Sequence, residues 1–144
     1  MGVSRQITGM RGVYLVAAEL SRRGFVVAPT CRGARGGDLL VTDEACQRAY
    51  AVQVKTQTGR AAYSLVGREA TVHSSPSYMF VFVDVVPGAT EGISFFVVPS
   101  QFVAAYTRVE ESGGALWFNF GREETEKFRD RWGVFQAEQG VASA

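Results

Sequence analysis

Gly36-Gly37-Asp38-Leu39-Leu40-Val41-Thr42 and, after a seven-residue gap, Tyr50-Ala51-Val52-Gln53-Val54-Lys55-Thr56 are the two stretches from which the chain is read. Each is a short apolar run bounded by Gly, Asp or Thr, the pattern of a buried or half-buried strand. Asp43-Glu44-Ala45-Cys46-Gln47-Arg48-Ala49 between them is polar enough to connect an antiparallel hairpin. Side chains alternate along a strand, so Gln53 and Lys55 project from one face and Val52 and Val54 from the other. A carboxylate opening one strand and a Gln-x-Lys on the next make a polar face that packing alone does not call for. Lys and Asp are seldom buried unless paired.

At 144 residues and 15.6 kDa the chain is expected to form one domain with a real core, residues 1–8 and 137–144 being loosely held. Its composition is that of a globular protein, and no apolar run reaches the ~18 residues that cross a bilayer. No basic-then-apolar leader opens the sequence, so a cytoplasmic protein with no membrane partner is expected. Cys31 and Cys46 lack the spacing of a zinc site or a disulfide framework. The net charge is only +1, but it is unevenly placed. Through Gly37 there are six arginines against the single acid Glu19, and the remainder carries nine basic and thirteen acidic residues. The basic end lies just ahead of Asp38 and suits phosphates, although on charge alone solvated surface charge is the commoner explanation.

Met10, Val13, Ala17 and Leu20 recur at helical spacing, predicting a helix over 9–23 that Gly24 stops. Strands are expected at 25–28, 61–66, 78–86, 93–98 and 116–120. Ser100 is expected to cap a helix running to Tyr106, and a closing helix over 122–132 is expected to carry Phe128 and Trp132 on one face. The order predicts a mixed α/β domain.

The region 9–55 resembles the PD-(D/E)xK nuclease superfamily, which includes restriction endonucleases, archaeal Holliday-junction resolvases and Mrr-type enzymes. Gly36-Gly37-Asp38 and Gln53-Val54-Lys55 carry the resemblance, and the Gln-x-Lys form is similar to the Mrr branch. It extends more weakly over 78–85 and 95–99. The resemblance implies a restriction-endonuclease-like three-layer α/β fold, a central mixed sheet flanked by helices. It implies magnesium-dependent (or manganese-dependent) hydrolysis of nucleic acid, DNA rather than RNA, by a homodimer. Asp38, Gln53 and Lys55 would be catalytic, with the metal on Asp38, Gln53 and the Val54 backbone carbonyl, and Arg11, Arg32 and Arg35 on phosphates. Magnesium takes hard oxygen ligands and keeps several waters, which these donors permit. One departure bears on activity: where related enzymes carry a Glu on the first helix, this chain has Val13.

Other readings stand beside this one. A fold that has lost catalysis and binds nucleic acid or protein is the alternative that Val13 favours, and a bare Asp38–Lys55 ion pair is a third. Glu19 is expected to pair with Arg22 or Arg23. The single histidine, His73, beside Ser74 and Ser75, reads as a loop residue rather than a base. The glycines of 33–37 match no phosphate-cradling loop. Trp117, Phe118, Phe120, Phe128 and Trp132 read as core or as a dimer face.

Overall fold

The structure is a computed structural model that describes residues 2–31, 37–59, 63–66, 73–109, 116–118 and 122–136. Its first helix, α1 (Arg5–Arg22), starts earlier than helical periodicity suggests, because the Ser4 hydroxyl accepts the Ile7 N–H and caps the helix inside a segment expected to be loose. Gly24, at φ +92°, ends it as expected: its N–H reaches the Ser21 carbonyl while the Phe25 N–H reaches Leu20. The buried face also differs from the expected one. Gly12, Val16 and Leu20 are buried, Val13 and Ala17 are only partly so, and Met10 is 46 % exposed, in line with exposed Val3, Ile7 and Tyr14. A glycine escaped notice as a core position because it carries no apolar signal of its own.

Five strands form one mixed sheet in the order β1-β2-β3-β5-β6: β1 (Val26–Pro29), β2 (Leu39–Thr42), β3 (Ala49–Gln57), β5 (Tyr78–Asp84) and β6 (Ser94–Pro99). The expected hairpin is present, β2 and β3 being antiparallel with Leu39 opposite Val52. β3 and β5 run parallel, with Gln53 beside Phe80 and Lys55 beside Phe82. A second sheet joins β4 (Tyr63–Val66), β8 (Leu116–Phe118) and β7 (Thr107–Val109).

The alternation of side chains sorts the core into two clusters. Val52, Val54, Val81 and Val83 meet α1 through Val16 and Leu20, with Trp132 and Phe135 alongside. On the other face, Tyr78, Phe80, Phe82, Phe96 and Val98 meet Val103 of α2 (Ser100–Tyr106) and Phe128. This is a helix–sheet–helix layering, and it makes β5 apolar on both faces. α1 packs very close to β3: a Cβ added at Gly12 would stand 1.7 Å from the Thr56 Oγ1. Backbone contact of that kind is available only to glycine.

Two expectations fail in the last third. Ser100 does not cap α2; Pro99 occupies that position without a side-chain cap, and the Ser100 hydroxyl turns to Ser75 instead. The closing helix is shorter, α3 (Arg122–Lys127), and Phe128 and Trp132 enter opposite clusters rather than sharing a face. The reason lies at the sheet edge. The Val97 N–H reaches the Phe128 carbonyl and the Asp130 N–H reaches Phe95, so residues 128–130 cover β6 like a short strand. A 3-10 turn over Trp132–Gln136 follows. Buried in this way, Phe128 and Trp132 are not available to a dimer face; Phe120 and the side chains of Trp117 and Phe118 lie outside the described residues.

Candidate active site

Asp38 sits just before β2, across from Gln53 of β3. Its own N–H closes on the Val52 carbonyl at 2.8 Å, and Gly37 lets the chain come close enough, since a Cβ there would meet the Val52 oxygen at 3.2 Å. One residue pair further, β2 has stopped and β3 continues, which leaves the Val54 N–H beyond the ladder. The Asp38 carboxylate takes it: Oδ2 accepts the Val54 N–H at 2.8 Å and the Gln53 Nε2–H at 2.9 Å. In a strand the N–H and C=O of one residue point the same way, so the Val54 carbonyl faces the same notch. Three of the residues expected to act together are therefore brought together.

Gln53 differs in one respect from the expectation. It presents its amide N–H to Asp38, not its oxygen. Turning the amide over about its terminal bond exchanges the two groups and would present the oxygen as a ligand.

Lys55 lies one strand repeat beyond Gln53 on the same face, beside the fully buried Phe82. Burial pushes its ammonium below the ordinary lysine range, and the Asp38 charge opposes that only in part. Yet the two do not form an ion pair. The ion pairs among the described residues are Glu19 with Arg22 and Arg23, as expected, and Glu126 with Arg129. The plain Asp38–Lys55 neutralisation is thus set aside, because Asp38 is held by Gln53 and Val54 instead.

The other expected residues are elsewhere. Arg11 rides on α1, on the face opposite Gln53, and donates to the Val86 carbonyl at 3.2 Å and to that of Ala89, tying the helix to the turn after β5. Arg32 and Arg35 lie outside the described residues. Val13 packs against the α1-side core, as an apolar residue does, and supplies no ligand. Among the described residues no three His, Cys, Asp or Glu side chains gather in one place. Asp38, the Val54 carbonyl and a turned Gln53 still make a hard-oxygen donor set that fits a magnesium-like cation, with water and a phosphate filling the rest of its shell. A single carboxylate makes such a site weak.

One neighbour escaped the sequence reading. Tyr78 opens β5 in register with Ala51, and its phenol is pushed up to about 12, by burial first and by the Asp38 charge second. Only the parallel β3–β5 pairing, which the sequence did not announce, brings it near Asp38.

No family profile matches the chain, and no curated protein is similar to it. Solved structures are. The bacterial homing endonuclease I-Ssp6803I superposes with a TM-score of 0.62 at 17 % identity, over 97 % of this chain and 96 % of that one. The chain shares the fold of that endonuclease. Hjc, a Holliday junction resolvase of Archaeoglobus fulgidus, is also similar, with a TM-score of 0.48 and 14 % identity over 83 % of this chain and 88 % of that one. Within this fold, the notch between β2 and β3 that holds Asp38 is the candidate active site.

Proposed function

We propose that this chain is a metal-dependent endonuclease acting on DNA, with Asp38, Gln53 and Lys55 as its catalytic residues. The observation that carries the reading is the notch itself. A carboxylate is fixed by the Val54 N–H and Gln53 just ahead of the first residue of β2, with a desolvated lysine one repeat further along β3. The fold shared with a homing endonuclease supports it.

A cation held by Asp38, the Val54 carbonyl and Gln53 would supply a more acidic water and an offset for charge on the phosphate. The chain's own groups supply the rest. Val54 and Gln53 hold Asp38 in one orientation, so no reordering of the carboxylate is needed when substrate arrives. Lys55 orients the attacking water or stabilises charge as it develops on the phosphate, and its half-buried setting strengthens either interaction. Two copies acting together would allow one cut on each strand of a duplex.

Incubating supercoiled plasmid with the protein and either magnesium or manganese tests the reading: nicking is expected, and Asp38→Ala and Lys55→Ala abolish it. The second reading, a nuclease fold that binds nucleic acid without cutting it, is favoured by Val13, which packs against the core and offers no ligand. It predicts that DNA is bound and left intact under the same conditions.

A further inference from the structure

Beyond Asp38, Gln53 and Lys55, the same face of the sheet carries one more polar pair. Tyr78 is the partner of Ala51, two residues before Gln53. Strand rise and strand spacing place its backbone about 8 Å from that of Gln53. The Tyr78 ring stands edge-on to Phe80, with 5.3 Å between centroids, and the exposed imidazole of His73 stands edge-on to Tyr78 at 6.0 Å.

The segment that carries them is held firmly. The fully buried Ser100 hydroxyl accepts the Ser75 N–H at 2.9 Å and donates to the Ser75 carbonyl at 2.7 Å. The Ser77 N–H reaches the Ser75 hydroxyl, the Tyr78 N–H reaches the Ser75 carbonyl, and the Ala51 N–H reaches the Ser77 carbonyl. This network ties the segment to both α2 and β3, while the imidazole at its end stays open to solvent. An imidazole N–H and a phenol that keeps its proton are both donors suited to an anionic oxygen. The Tyr78 phenol stands across β3 from the notch and within reach of the Asp38 charge.

We propose that His73, seated on Tyr78, binds the phosphate that flanks the scissile one, so that the site grips two consecutive phosphates of a strand. This rests on the endonuclease reading. It makes His73 a substrate-positioning residue, with no part in bond cleavage.

His73 is the only histidine of the chain, so histidine-selective ¹⁵N labelling yields one imidazole to follow. The probe is a short duplex DNA added in EDTA, which prevents cleavage, and the backbone amides of Gln53 and Val54 are followed beside the imidazole. The expected result is a saturable shift of the imidazole with the same Kd as the amides. In parallel, His73→Ala, a surface change that leaves the fold intact, weakens duplex binding about three- to tenfold, and His73→Gln, which keeps an N–H donor, recovers part of the loss. An imidazole that stays still while the Gln53 and Val54 amides shift, or a His73→Ala variant that binds like the parent, overturns this proposal and leaves the endonuclease reading standing. Absence of any duplex binding overturns both.

Discussion

The Val54 N–H donates to the Asp38 carboxylate at 2.8 Å, a side chain completing a ladder that the backbone of β2 has abandoned. That one contact does two jobs. It satisfies a backbone donor that would otherwise be left unpaired at the strand junction, and it aims the carboxylate at the notch beside the Val54 carbonyl. Asp38→Ala should therefore lower stability as well as activity. The Val54 N–H and the Gln53 amide each lose a charged acceptor at a half-buried place, a cost of about 1–3 kcal/mol. Chemical denaturation measures the first effect and plasmid nicking the second; an alanine variant as stable as the parent would mean that Asp38 does not hold the strand junction.

Lys55 should show the opposite trade. Its lowered pKa means that, between the folded and unfolded values, the unfolded chain binds more protons, so stability climbs with pH. The penalty is full below the folded value and disappears above the ordinary 10.5. Lys55→Met keeps most of the stem and removes the charge. It should unfold later than the parent at neutral pH, the margin shrinking toward pH 10.5, while cleavage is lost. Thermal melts across pH check this, and equal melts at every pH would count against a desolvated lysine.

Gly12→Ala probes the contact between α1 and β3. The new methyl would overlap the Thr56 hydroxyl, so helix or strand must shift, at a cost of about 1–3 kcal/mol. Thr56→Ala removes the obstructing oxygen, itself buried without a hydrogen-bond partner. The double variant should then recover part of the loss, which a double-mutant cycle on urea midpoints measures. Simple additivity would show that the two positions do not touch.

The β2–β3 hairpin and its polar face were legible in the sequence because alternation is a local property. The Asp38, Gln53 and Lys55 positions followed directly from it. Three features were not legible, each for a physical reason. The parallel β3–β5 pairing is long-range, and so Tyr78 could not be placed across β3 from Asp38. Ser100 looked like a helix cap because its position fits one, whereas its hydroxyl is committed to Ser75, 25 residues away in sequence. Phe128 and Trp132 are four apart and would share a helical face, but the edge of β6 draws residues 128–130 into extended pairing and sends the two rings to opposite sides of the sheet. In each case a tertiary partner overrode a sound local pattern.

The central claim is that Asp38 anchors a working cation site despite Val13. Calorimetric titration of magnesium and of manganese, into the parent and into Asp38→Ala, tests it most directly. With one carboxylate the account predicts weak, saturable, millimolar binding to the parent that disappears in the variant. Binding to neither protein at millimolar metal, or equal binding to both, would contradict it.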